Sequence, residues 1–526
     1  MKLIQLISLF CLITNSLTCL VKTFDNTNSF VCVCNDQYCD KLPTGPYSSP
    51  EALTIFKSDS SYARFTKSVI PDSDLFNDNE DVQSTADLYV TINVTHKLQS
   101  ITGFGGAFTD STGININKLS SDLRDQLITD YFGANGAQYN LGRVPIGGSD
   151  FSDRPYSYDD VVDDFELEHF ALASDDFNYK IPYIKKAKSL NGNLKLFGSP
   201  WAPPKWLKTN NASEGLGILI GEPGSLHWKT WANYFVKFFE AYKENGVEFW
   251  GLTPQNEPLT GLSPNYAWNT LGFSSAMMRD FIKKDLGPAL KAAGYGPDVI
   301  KVMIYDHNND EILNFVRGVL SDKEAASYVA GIAYHWYTLT DYHDELNKVH
   351  ENWPDYFLIS TEACEGWVRG REDNKVTLGN WTRAETYAFD IIDGLNRWST
   401  GWVDWNLVLD PNGLPNWAKN PVDAPIIVSA DGSEYYKQPM FYSLAHFSKF
   451  LQPESRRVFH SVDSKDKSIL DKVRLTTFVN PSNEFVSIIV NANESPIKIS
   501  FQGVDDSRKF TLGIGGRSMQ TIIKPL

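Results

Sequence analysis

The sequence predicts an α/β protein: a (β/α)8 TIM barrel with an accessory β-sandwich domain and a small disulfide-containing β module. Three observations carry this. From about residue 100, eight short apolar runs alternate with amphipathic helical stretches over roughly 310 residues, the usual span of such a barrel. Both ends of the chain hold short, β-branched, turn-punctuated runs, which is a sandwich pattern. Four cysteines crowd into the 21 residues from Cys19 to Cys39, ahead of the barrel.

Taken in order, Met1-Lys2 followed by the apolar run Leu3 to Leu17 has the form of a secretory signal peptide over residues 1–16, with small residues near Thr14-Asn15-Ser16 for cleavage. The run falls short of the roughly 18 apolar residues of a membrane anchor, and no second such run follows. Cys11 leaves with the leader, so the thiols of the mature chain are Cys19, Cys32, Cys34, Cys39 and Cys364. The crowded four suggest two bridges made in an oxidising compartment. Zinc is the competing reading of Cys32-Val-Cys34, but the spacing differs from Cys-x2–4-Cys and no His lies nearby. Asn93, Asn211, Asn380 and Asn493 each open an Asn-x-Ser/Thr glycosylation sequon, as a secreted chain permits.

Ala86–Val94 and the runs Leu475–Val479, Phe485–Val490 and Ile497–Phe501 supply the sandwich from both chain ends. Between them the barrel strands are expected at 100–108, 139–147, 193–201, 248–257, 298–306, 329–337, 356–364 and 402–409. Helical intervals separate them: Trp228, Trp231, Phe235, Phe238, Phe239 and Tyr242 share one stripe, and Met278, Phe281, Ile282 and Leu286 another. A Pro/Gly/Asn-rich stretch near Asp410–Gln438 joins the cysteine-rich head. The expected domains are 17–50 with 406–439 (small module), 51–98 with 455–526 (sandwich), and 99–405 with 440–454 (barrel). A doubly wound open sheet is the alternative, but Gly103-Phe-Gly105-Gly106 lacks the third glycine of a dinucleotide loop.

Composition narrows the function. The formal net charge is -16, with 48 Lys+Arg against 64 Asp+Glu and no basic stripe, which disfavours nucleic acid. Hydrophobic content of 42% without low-complexity tracts excludes disorder. The 14 Trp, 24 Tyr and 31 Phe exceed what a core alone requires and can line clefts for flat, partly apolar ligands such as sugars.

In a barrel, catalytic groups sit at the C-terminal ends of strands. Those ends carry Asp110, Asp150, Trp201, Asn256-Glu257-Pro258, His335-Trp336-Tyr337, Glu362 and Trp405-Asn406. Glu257 and Glu362 lie 105 residues apart, close to three repeats of about 38, which matches strands four and seven. A carboxyl pair at a sugar-sized cleft is what glycosidic cleavage requires: an acid for the leaving oxygen and a carboxylate for the anomeric carbon. Asp110 and Asp150 could equally be helix caps or ion-pair partners. The nine His are dispersed, so no metal cluster is evident and no cofactor is implied; no Gly-x-Ser-x-Gly elbow occurs.

At these residues the chain resembles the glucosylceramidases of glycoside hydrolase family 30. The resemblance rests on Val31-Cys-Val-Cys-Asn35, Tyr38-Cys-Asp40, Gly103-Phe-Gly-Gly-Ala-Phe-Thr-Asp110, Arg143-Val-Pro145 and Ser199-Pro-Trp201. It continues through Trp206-Leu-Lys-Thr-Asn210, Asn256-Glu-Pro258, His335-Trp-Tyr337, Glu362-Ala-Cys364, Asp404-Trp-Asn406, Tyr436–Tyr442 and His446–Phe450. It implies Glu257 as general acid/base and Glu362 as nucleophile of a retaining hydrolysis of glucosylceramide, with β-xylosidase or endo-β-1,6-glucanase activity and a silent glycolipid-binding protein as alternatives. It places Asp150, Trp201, Asn256 and Trp405 on the glucose, Arg143 and His335 around the carboxylates, Tyr337 at the gate, and Asn420 in a matching segment. Tyr266 and Trp268 fit the mouth, where an aglycone would lie. It pairs Cys19 with Cys32 and Cys34 with Cys39, leaving Cys364 free beside the nucleophile. Two segments depart from the family pattern: Gly147-Gly148-Ser149 before Asp150, and Pro254-Gln255 before Asn256.

The implied partners are a glycosphingolipid, a membrane surface touched peripherally, a saposin-like activator and a lysosomal transport receptor. The implied location is the lysosome by the secretory pathway, with secretion as the alternative. The charge of Glu362 is expected to raise the pKa of Glu257 and keep that acid loaded.

Overall fold

Eight parallel strands close into a barrel: β1 (Gly103–Ala107), β2 (Leu141–Ile146), β3 (Lys195–Pro200), β4 (Gly251–Leu252), β5 (Lys301–Asn308), β6 (Val329–His335), β7 (Phe357–Glu362) and β8 (Ser399–Asn406). β8 pairs with β1, Trp402 opposite Phe104, and β4 pairs with β5, Gly251 opposite Lys301. The computed structural model describes residues 19–25, 27–76, 86–368, 375–464, 466–505 and 508–526. The expected leader, residues 1–16, lies outside the described residues.

Three strands depart most from expectation. β8, expected at 402–409, runs Ser399–Asn406, and Val408–Leu409 pairs instead in the small module. Ser100 does not open β1; it ends the sandwich strand Leu88–Ser100, which buries Leu88, Val90 and Ile92 at every second position in its first half. β4 is only two residues long, because Pro254 has no N–H to continue the ladder. The segment nevertheless stays tied to β3, through Thr253 N to Gly198 O (2.9 Å) and Asn256 N to Pro200 O (2.9 Å).

The barrel interior is plugged by Leu141, Phe197, Met303, Ala333, Ile359 and Val403, one from each of six strands. That plug leaves only the C-terminal end open to a ligand. Outside, helix Leu226–Glu244 buries all six aromatics of its predicted stripe. Removing one such ring costs about 3–5 kcal/mol. The second stripe is less regular: helix Ser275–Phe281 widens into a π turn at Ile282–Leu286, which keeps Met278, Phe281, Ile282 and Leu286 all buried.

The sandwich is a nine-stranded sheet drawn from both chain ends, in the order 508–514, 497–505, 88–100, 456–464, 473–479, 484–491, 518–525, 52–59, 66–71. Its period-two pattern sends neighbouring residues to different cores. Ile489 and Ile522 join Leu88, Val90 and Phe501 inside the sandwich, while Ile488, Val490 and Ile523 join the large core shared with the barrel.

The small module is a five-stranded sheet of 20–22, 31–35, 434–437, 426–428 and 408–409. Its cysteines pair as Cys19–Cys32 and Cys34–Cys39, with Cα–Cα separations of 5.5 and 4.3 Å, so their sulfurs are not available to zinc. Buried Lys437 joins it to the barrel side through Asp40 (2.7 Å) and Asp130 (3.5 Å). No helix of the described residues is long and apolar enough to cross a membrane. Of the sequon asparagines, Asn93 and Asn211 are exposed, and Asn380 N-caps helix Trp381–Leu395. Asn493 is half-buried and donates to Asn491 (2.9 Å).

Candidate active site

A cavity of about 830 Å³ opens at the C-terminal end of the barrel. Strand ends and the loops beyond them bring Asp150, Trp201, Asn256, Glu257, Tyr266, Trp268, Tyr337, Glu362, Trp405 and Asn420 to its wall. Arg143 and His335 lie beneath it with no exposed surface. Asp110 is elsewhere: it sits in the first turn of helix Asp110–Ile116, buried against Lys180 (3.3 Å), so its role is ion pairing.

The floor is a charge network. Arg143 spends its whole guanidinium there: Nε donates to Ser199 (3.2 Å), Nη1 to Glu362, and Nη2 to Asn256 Oδ1 (2.7 Å) and Asp306 Oδ2 (2.8 Å). The guanidinium also lies 4.9 Å from the Trp201 ring centroid and 5.5 Å from that of Trp405, whose rings stack at 5.0 Å and 18°. A planar cation held by both a carboxylate fork and aromatic faces is a task for Arg rather than Lys. Asp306 accepts four bonds, from Thr361 (2.6 Å) and His335 Nε2 (3.0 Å) on one oxygen and from Thr253 (2.6 Å) and Arg143 on the other.

Each glutamate has its own set of neighbours. Glu362 ends β7, receives Arg143 on one oxygen and the Tyr337 hydroxyl (3.0 Å) on the other. The same hydroxyl lies 3.3 Å from the sulfur of free, buried Cys364. Glu257 adopts a left-handed backbone, φ 44°, secured by its amide donating to Asp306 O (2.8 Å). Its carboxylate receives the Tyr266 hydroxyl (2.7 Å) and faces His335 Nδ1 at 3.5 Å. Tyr266 in turn packs on Trp268, 4.6 Å between centroids. Asp150 receives Asn420 Nδ2 at 2.8 Å.

These contacts set the charges. Burial disfavours protonated His335, but the Glu362 and Asp306 carboxylates, with Glu257, outweigh it and carry His335 up to about 9. Burial likewise favours the neutral form of Glu257, yet the His335 imidazolium pulls its carboxyl down to about 2. The expectation that Glu362 raises Glu257 is therefore corrected: in the resting site the nearby cation dominates. Glu362 goes the other way; burial, helped by the Glu257 and Asp306 charges, raises it against the pull of Arg143 and His335. Burial also lifts Asp150 to about 7, against the Asn420 bond.

The two departures from the family pattern have local reasons. Gly147 has φ +83°, and a side chain on Gly148 would run into Tyr156 at about 3 Å. Buried Gln255 donates to Trp201 O (2.8 Å) and Asn256 O (2.9 Å), bracing both cavity residues.

Asp306, which joins this network, is not among the strand-end candidates named from the sequence. It stands at the end of the fifth apolar run, where the rule that singled out Glu257 and Glu362 would have found it. Its companions Thr253, Thr361 and Ser199 carry no distinctive sequence signal.

A sugar-sized cavity, closed below by a plugged barrel and lined by the carboxyls of Glu257 and Glu362 and by stacked indoles, defines the class of barrel glycoside hydrolases. Residues 101–451 match the glycosyl hydrolase family 30 TIM-barrel domain and residues 454–522 the family 30 beta sandwich domain. The chain is 44% identical over 467 residues to "Putative glucosylceramidase 4" of Caenorhabditis elegans, covering 88% of this chain and 87% of the relative. It is 39% identical over 493 residues to the lysosomal acid glucosylceramidase of Mus musculus, covering 93% and 92%. Among solved structures, SrfJ from Salmonella typhimurium superposes with a TM-score of 0.80 at 26% identity, over 90% of this chain and all of that one. The chain belongs to glycosyl hydrolase family 30.

Proposed function

We propose that this family member hydrolyses the β-glucosyl bond of glucosylceramide with retention, Glu362 acting as nucleophile and Glu257 as acid/base. The observation that carries the reading is the placement of both glutamates in one cavity, each with a different cationic neighbour: Arg143 for Glu362, His335 for Glu257. An attacking carboxylate is aimed by a guanidinium fork, whereas a carboxyl that cycles its proton needs a partner that cycles too. Glu362 attacks the anomeric carbon while a proton from Glu257 frees the aglycone; water, deprotonated by Glu257, then releases glucose. Asp150, Asn256 and Asn420 offer polar groups to the sugar hydroxyls, and the Trp201–Trp405 pair a flat apolar face.

The aglycone leaves past Tyr266 and Trp268, and the rim beside them is apolar. Leu339 is 81% exposed and lines the same cavity as Trp367 and Val368. An exposed leucine at such a lip suits brief contact with the lipid surface that presents the substrate. With a net charge of -16, attachment to an anionic membrane needs that patch or a saposin-like helper. The leader, the sequons and the lysosomal relative support transit through the secretory pathway to the lysosome, where a transport receptor would deliver it.

The deciding assay is release of glucose from glucosylceramide in vesicles across pH, with and without anionic lipid, beside xylosides and β-1,6-glucan. Glucosylceramide should be the preferred substrate, and folded Glu362→Gln should lose about four orders of magnitude in kcat. Preference for β-1,6-glucan, or substantial turnover by the variant, overturns the proposal.

A further inference from the structure

One strained turn below the cavity holds two groups at once. β5 bulges at Tyr305 and Asp306, both left-handed, at φ 83° and 54°, before pairing resumes at His307. Residues with side chains keep that conformation only where their surroundings over-determine it. Here the Asp306 carboxylate takes four donors, His335 Nε2 among them, while its backbone oxygen takes the Glu257 amide at 2.8 Å. Asp306 thus sets both the imidazole ring and the backbone of the facing glutamate.

The ring has one free choice. An ionised carboxylate can only accept, so the Asp306 bond keeps a proton on Nε2 in every state of the ring. Any proton His335 gains or loses is therefore on Nδ1. That atom is fully buried, makes no hydrogen bond, and faces Glu257 Oε1 at 3.5 Å. The other charged or titratable groups around the ring are Glu362, Arg143 and His307, with the Tyr337 ring 6.1 Å away.

We propose that His335 Nδ1 stores the proton that Glu257 delivers to the leaving oxygen, and that Asp306 is the positioning residue that fixes both partners. The inference rests on Glu257 being the acid/base of the proposed hydrolysis. At rest the pair is an imidazolium beside a carboxylate. When substrate enters, the Nδ1 proton moves to Glu257, leaving a neutral imidazole and a carboxylic acid. That acid then protonates the glycosidic oxygen; the C–O bond breaks with its electron pair on oxygen, and a Glu362 oxygen bonds to the anomeric carbon. In the second half Glu257 takes a proton from water as the water oxygen replaces Glu362, whose bonding pair returns to its carboxylate. The proton passes back to Nδ1, so each cycle restores the starting charges. Burial and the surrounding carboxylates keep His335 protonated and Glu257 ionised at rest, which is the stored state; delivery to Glu257 runs against that preference and requires the entering substrate to strip water from the ion pair and favour its neutral form.

The test is His335→Gln, which keeps a donor for Asp306 but has no Nδ1. Two substrates are compared: an alkyl β-glucoside, which needs the acid, and 2,4-dinitrophenyl β-glucoside, which does not. The alkyl substrate should lose about tenfold or more in kcat/KM beyond any loss on the dinitrophenyl substrate, and its basic pH limb should move down by about one unit. Equal losses, or an unmoved limb, overturn the proposal. Wild-type protein inactive on both substrates sinks the hydrolase reading itself. Should the variant not fold, nitrogen-15 histidine spectra of the wild type decide: the resonance that shifts when a cyclitol epoxide esterifies Glu362 should show both ring nitrogens protonated at pH 7. A neutral ring there overturns the storage role.

Discussion

Arg143, Asp306 and His335 at the cavity floor are wholly buried, and their side-chain polar atoms, His335 Nδ1 apart, are bonded to one another, to hydroxyls, to Asn256 or to Glu362. The mouth a few residues away is half-exposed and held by ring contacts, Tyr266 on Trp268 at 4.6 Å and Tyr337 on Trp367 at 5.4 Å, with Leu339 in water. The floor places charge where chemistry needs it and tolerates no missing partner. The mouth offers adaptable surface to an aglycone and a lipid. Rigidity and adaptability are thus separated by depth within one cavity.

The floor should break hardest. Arg143→Met leaves Asp306 and Glu362 buried without their cation, and unfolding by urea should show a loss of about 3–5 kcal/mol. A loss under about 1 kcal/mol would mean that the floor relaxes as readily as the mouth.

Asp150, between the two regions, should show a pH effect. Its folded pKa, near 7, lies above the value of about 3.9 expected for the unfolded chain. The folded state therefore holds that proton more tightly; the resulting stability is full below about pH 4 and fades as pH rises through 7. Asp150→Asn should flatten the fall in Tm between pH 5 and 8 and make the variant the more stable protein at pH 8, while weakening glucose binding. Parallel Tm curves would place the carboxyl in a wetter setting.

The smallest effect belongs to the lip. Leu339→Ser should change stability by no more than about 0.5 kcal/mol. Hydrolysis of vesicle-bound glucosylceramide should fall severalfold, and more than hydrolysis of a soluble aryl glucoside. Equal changes on the two substrates would remove Leu339 from the lipid contact.

Much of this was legible in the residues. Strand periodicity and the rule that catalytic groups sit at strand ends put Glu257, Glu362, Trp201, His335 and Trp405 in one place, because a barrel converts even spacing along the chain into convergence in space. Asp306 has no adjoining motif, and its importance comes from four donors, three on β2, β6 and β7 and the fourth, Thr253, just beyond β4. The downward pull of His335 on the Glu257 carboxyl was not legible in the residues. The proximity of Glu257 to Glu362 follows from the fold class, but its 3.5 Å separation from a carboxylate-bound His335 does not. Which cysteines pair was carried by family resemblance alone, since four cysteines permit three connectivities.

The nine-stranded sheet also constrains how the chain is made. Among the described residues, the hairpin of strands 52–59 and 66–71 pairs with the rest of its sheet through strand 518–525 alone. A ribosome finishes that segment long after the hairpin has emerged, so an early-made edge must wait, unpaired, while the whole barrel is synthesised. A chain cut short by about ten residues would leave that edge open to other chains. Release from the folding machinery can then depend on the last strand arriving.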